Sequence, residues 1–109
     1  MESNNQIIIF ENNNVKLNVN MKDETVWLTQ TQMAELFGKD RTVIVRHINN
    51  IYTEGELYKN STCAFFAQTQ NEAGRMVTRQ IPFYNLDVII SVGFRVKSQN
   101  GIIFIKWAN

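Results

Sequence analysis

Apolar and polar positions set the period of the chain from its first ordered-looking run. Gln6 to Phe10 is rich in β-branched residues, and Asn12-Asn13-Asn14 follows as a turn. Val15, Leu17 and Val19 then alternate with Lys16, Asn18 and Asn20, a period of two that predicts a half-exposed strand. Lys22-Asp23-Glu24 reads as a second turn, and Thr25-Val26-Trp27 as a short strand. At Leu28 to Tyr52 the period changes to that of a helix. Thr29 is placed to cap a first helix, with Gln32 at the reciprocal position of a capping box. Gly38 marks the reversal, and Asp40 is placed to cap a second helix. Ile44, Ile48 and Ile51 form its apolar stripe. Arg41, Thr42, Val45, Arg46 and Asn49 fall off that stripe. A helix, a glycine turn and a second helix with polar and basic residues outward is the helix-turn-helix arrangement, although an ordinary helical hairpin has the same outline.

Thr53 to Leu57 reads as the exit of the second helix, and Asn60-Ser61-Thr62 as loop. Thr62 to Thr69 and Arg75 to Phe83 read as two strands joined by a turn over Gln70 to Gly74. Pro82, the one proline, suits a strand end or edge. A hairpin directly after a helix-turn-helix has the layout of a wing. Asn85 is placed to cap a third helix, with Asp87 in its first turn. Leu86, Val88, Ile89, Ile90, Val92 and Phe94 make that helix apolar nearly all round, which predicts burial. Asn100-Gly101 predicts a break, and Ile102 to Asn109 a further apolar element. A hydrophobic helix is a poor natural terminus, so the expectation is a fragment of a longer protein. The fold class expected is therefore α+β, one domain over residues 1–109: a winged-helix-like helix-turn-helix with an N-terminal β-meander and a β-hairpin wing.

Charge sharpens this picture. The net charge is only +1, which gives no overall nucleic-acid signature. Residues 1–37 carry two basic and five acidic side chains, whereas residues 38–109 carry nine basic and five acidic ones. The basic excess begins at the glycine turn, and a local patch matters more than a total. The single cysteine, Cys63, excludes an intrachain disulfide and a thiolate metal cluster. The polar, Asn-rich start is unlike a signal peptide, and the apolar runs are too short to span a bilayer, so a cytoplasmic location is expected.

The blocks TVWLTQTQMAELFGKD, RHINNIYTEGEL, YNLDVIISVGFRVKS and the closing FIKWA resemble, in order and spacing, the N-terminal part of the RhuM-type virulence-associated proteins of bacteria. The resemblance runs from about Ile7 to the last residue. More distantly, the chain is similar to the N-terminal DNA-binding domains of phage antirepressor and Bro-like proteins; related modules also occur fused to Fic/Doc-type domains. The resemblance implies a DNA-binding module. Val43, Val45 and Arg46 depart from the usual pattern in the second helix, so no target site carries over.

The residues expected at double-stranded DNA are Arg41, Thr42, Val45, Arg46 and Asn49 in the major groove, with Lys39, Arg75 and Arg79 on the backbone. Each has a plainer role as a solvated surface side chain. His47, the lone histidine, is expected to be structural, hydrogen-bonded at the helix interface. Cys63 is expected to be a small buried or edge residue, and Trp27, Trp107 and Tyr84 core aromatics. Glu54 and Glu56 beside Gly55 read as a solvated turn. No Gly-rich phosphate loop, paired acids or metal-ligand spacing points to an enzyme, a cofactor or a small-molecule substrate. The alternative to DNA binding is a protein-interaction or homodimerisation module using Val43 and Val45, which the low net charge favours.

Overall fold

The computed structural model describes residues 6–109. Among them the chain runs β1 (Gln6–Asn12), β2 (Val15–Lys22), β3 (Thr25–Leu28), α1 (Gln30–Phe37), α2 (Arg41–Thr53), α3 (Lys59–Thr62), β4 (Cys63–Glu72), β5 (Arg75–Asn85), α4 (Leu86–Val96) and α5 (Gln99–Ala108). The strands form one antiparallel sheet in the order β1-β2-β3-β5-β4. The α+β class and the N-terminal meander are as the pattern predicts.

Alternation decides which side of the sheet becomes core. Val15, Leu17 and Val19 are buried while Lys16 and Asn18 are exposed. The inward side chains of the meander meet Met33, Leu36 and Phe37 of α1, Ile44, Ile48 and Ile51 of α2, Val88, Ile89 and Val92 of α4, and Phe104 of α5. The sheet's other side carries a smaller aromatic cluster. Phe66 lies edge-on to Trp27 at 5.9 Å and to Phe83 at 5.0 Å, with the Lys22 ammonium 5.0 Å from its ring centre.

Local chemistry sets the ends of α1. Thr29 Oγ1 accepts from the Gln32 N–H at 3.0 Å, and the Gln32 side chain accepts from the Thr29 N–H at 3.0 Å, so the capping box is complete. Gly38 ends the helix at φ 66°, a left-handed conformation that glycine adopts without a Cβ penalty. Asp40 does occupy the N-cap position of α2, but its side chain makes no capping hydrogen bond.

Several expectations are corrected. The expected loop at Asn60-Ser61-Thr62 is the one-turn helix α3. The Thr62 hydroxyl, buried, donates to the Tyr58 carbonyl at 2.7 Å and closes that turn. The five-residue hairpin tip shrinks to Ala73-Gly74, because Gln70, Asn71 and Glu72 continue the ladder opposite Val77, Met76 and Arg75. Pro82 sits within β5; β3 ends opposite Tyr84, so that part of β5 has a neighbouring strand on one side only. Asn100-Gly101 does not break the chain. Ser98 caps α5 through the Gly101 N–H at 3.2 Å, and Gly101 lies inside the helix, buried against Phe37. Finally, α4 is not covered all round, since Phe94 is 76% exposed.

Candidate nucleic-acid interface

Burial of Ile44, Ile48 and Ile51 turns the opposite side of α2 to solvent. Thr42, Arg46 and Asn49 are exposed there, Arg41 is exposed at the start of the helix, and Lys39 is exposed in the turn before it. Val43 and Val45 are half-buried. Five of the eight residues expected at DNA therefore share one solvent-facing surface, with Val45 partly withdrawn beside them.

Arg41 is held in place. Its Nη1 donates to Gln30 Oε1 at 2.9 Å, and Gln30 Nε2 donates to the Tyr84 hydroxyl at 3.1 Å. This chain of bonds ties the start of α2 to the first turn of α1 and to β5. Burial, the larger influence, pushes the Tyr84 phenol above its ordinary pKa, so Tyr84 stays a neutral hydrogen-bond partner at physiological pH.

The hairpin residues stand differently. Arg75 is exposed opposite Glu72. Arg79 is already engaged: its Nε and Nη2 donate to the two carboxylate oxygens of Glu72 at 2.8 and 2.7 Å. That fork holds the Glu72 carboxyl below its ordinary pKa and raises Arg79. The pair is exposed, and Arg79 is not the free cation that its sequence position suggested.

At the far end of α2 the acidic pair is not a solvated turn. Arg95 Nη2 of α4 donates to Glu54 Oε1 at 2.9 Å and Glu56 Oε1 at 3.0 Å, and the Ser91 hydroxyl donates to Glu56 Oε2 at 2.7 Å. The Ser91 bond first, and then Arg95, hold the Glu56 carboxyl below its ordinary value. This clamp joins the exit of α2 to α4. About forty positions separate its partners, beyond the reach of helical or strand periodicity. The nearby Tyr52 phenol is pushed up to about 12 by burial. Because the Thr62 proton goes to Tyr58, the 2.9 Å bond between Tyr52 and Thr62 has Tyr52 as its donor.

His47 is partly covered, but the expected hydrogen bond is missing: its Nδ1 is buried without a partner. Burial first, then the charges of Arg46, Arg95 and Lys39, lower its pKa from 6.5. The unfolded chain thus takes up this proton before the folded one does. Stability present above pH 6.5 is lost as pH falls through the window below it. We expect the urea midpoint to drop between pH 7.5 and 5.5, and His47→Gln to flatten that window while leaving a second decline below pH 4.5, where Glu56 and Glu72 protonate. An unchanged wild-type midpoint across the upper window would refute this assignment.

Cys63 is half-buried at the start of β4, and burial raises its pKa, away from the reactive thiolate. Among the described residues no three His, Cys, Asp or Glu side chains stand close enough to hold a metal ion. None of the described helices is long and apolar enough to cross a membrane.

The fold and this surface define an α+β protein with a five-stranded antiparallel sheet that presents a basic, polar helix face. Residues 61–109 match the model of the virulence protein RhuM family, which bears out the RhuM-type resemblance over β4, β5, α4 and α5. No curated protein and no solved structure matches the chain.

Proposed function

We propose that the chain is a double-stranded DNA-binding module of the winged helix-turn-helix kind, with α2 as the reading helix and β4–β5 as the wing. The observation that carries this is the exposed row of Thr42, Arg46 and Asn49 on the side of α2 opposite the buried isoleucines, with Arg41 exposed at the start of the helix. The order β3–α1–α2–α3–β4–β5, with β3 paired to β5 and only the one-turn α3 between α2 and the hairpin, supports it, because a wing is attached beside a helix-turn-helix in this way. Lys39 and Arg75 hold the backbone in this reading, and Arg79 joins them only by exchanging Glu72 for a phosphate. Val45 lies at the edge of the reading surface. The half-burial of Val43 and Val45 weakens the reading of α2 as a dimerisation surface.

The test is fluorescence anisotropy with mixed-sequence duplex DNA over a salt series. The wild type is expected to bind at low salt, with affinity falling steeply as salt rises. Arg41→Ala/Arg46→Ala is expected to weaken binding, and in Lys39→Ala/Arg75→Ala the log–log salt slope is expected to become shallower by about 2, one for each lost phosphate contact. A folded wild-type chain that fails to bind at low salt, or a variant with unchanged affinity and slope, would sink the reading.

A further inference from the structure

The solvent side of α4 carries Asp87, Ile90 and Phe94 at helical steps of three and four, and Lys97 follows as the left-handed cap that ends the helix. Asp87 and Lys97 are exposed, Ile90 is half-buried, and Phe94 is exposed. Beside this stripe the missing side chain of Gly93 leaves a shallow apolar groove against α5, lined by Ile90, Gly93, Phe94, Lys97, Ile102 and Ile105. Ile102 is itself half-exposed at 51%. None of these residues belongs to the proposed DNA surface.

The stripe is self-complementary. Asp87 and Lys97 stand five positions before and after Val92, and Ile90 and Phe94 stand two before and two after. When two copies of such a helix cross antiparallel at position 92, each acid meets the other copy's base and each Ile90 meets the other copy's Phe94. Gly93 beside the crossing faces Ile105 and Phe37 of its own chain and keeps the groove next to the stripe open. A parallel arrangement would set like charges side by side.

We propose that this face binds a second copy of the chain, through antiparallel α4–α4 packing about a two-fold axis at Val92–Gly93. Asp87 pairs with Lys97 of the second copy, and Phe94 lies over Ile90 and into the groove of the second copy. The contact is isologous, as a closed dimer requires. An apolar centre rimmed by complementary charge is the usual anatomy of such an interface. The proposal is independent of the DNA reading, since its test contains no DNA.

Sedimentation equilibrium over a wide concentration range is the test. The wild type is expected to form a dimer. Phe94→Glu is expected to be monomeric with an unchanged circular dichroism spectrum, because this side chain contributes little to its own fold. Asp87→Lys and Lys97→Asp alone are each expected to weaken the dimer about tenfold, since both symmetric ion pairs become repulsions. The two reversals combined are expected to restore it, since every pair is rebuilt with its signs exchanged. A wild-type monomer at every concentration would overturn the proposal. So would an undiminished Phe94→Glu dimer, single reversals without effect, or a combined variant no tighter than the single ones. An association that survives all of these reversals would point to another surface.

Discussion

Phe104→Ala is expected to lower the stability of the protein by about 3–5 kcal/mol, the usual cost of deleting a buried aromatic ring. Phe104 is fully buried where α5 meets the sheet. Its ring lies edge-on to Phe10 at 5.0 Å and tilted against Trp107 at 5.4 Å, and Phe10 meets Trp107 at 5.2 Å. Removing the central ring of the three leaves both others facing a void. A domain of this size has a total stability of about 5–15 kcal/mol, so the loss is a large share of it. Urea denaturation of wild type and variant measures the difference. A loss below about 1 kcal/mol would mean that α5 is not an integral part of the core.

Gly101→Ala is the second large effect, and here two general rules oppose each other. Alanine is the better helix former by about 1 kcal/mol, so propensity alone predicts stabilisation. The structure reverses the sign. A Cβ at position 101 would lie 2.4 Å from Phe37 Cε1 and 2.8 Å from Cδ1. Phe37 is itself buried, at 4% exposure, so its ring has no free space to enter. Overpacking of this kind costs about 1–3 kcal/mol, and a net loss is expected despite the propensity gain. Phe37→Leu in the same chain should recover part of that loss, since it withdraws the atoms in conflict. A stabilised Gly101→Ala protein would show that α5 shifts outward at little cost.

These two residues also mark where the sequence was readable and where it was not. Periodicity found the meander, α1, α2, the hairpin and α4, and the cap residues Thr29, Gly38 and Asn85 stand where their chemistry predicts. Each of those signals is local. Gly101 looks like a break in the sequence because its reason for being glycine is Phe37, sixty-four positions earlier, and nothing near it in the chain reports that contact. Glu54 and Glu56 look solvent-facing in the sequence for the same reason, their partners Ser91 and Arg95 being on a later helix. The exposed α2 row was legible because the isoleucine stripe defines its opposite. The state of Arg79 was not, since a basic residue in a strand gives no sign of the carboxylate across the hairpin. The apolar excess of α4 was visible, but an apolar residue facing a neighbouring helix and one facing solvent look alike until the neighbours are placed.

The pairing of β3 with β5 has a kinetic side. Trp27 meets Asn85 and Leu28 meets Tyr84, and everything from α1 to the hairpin lies inside the loop that these two bridges close. Each hairpin is joined by a short turn and can form early from nearby residues. The central seam has to gather distant parts of the chain before its few bonds reward the lost entropy. Helix α2 is enclosed by that seam. Its orientation is therefore fixed only once the sheet is whole, so closing the seam is also the step that sets the exposed face of α2.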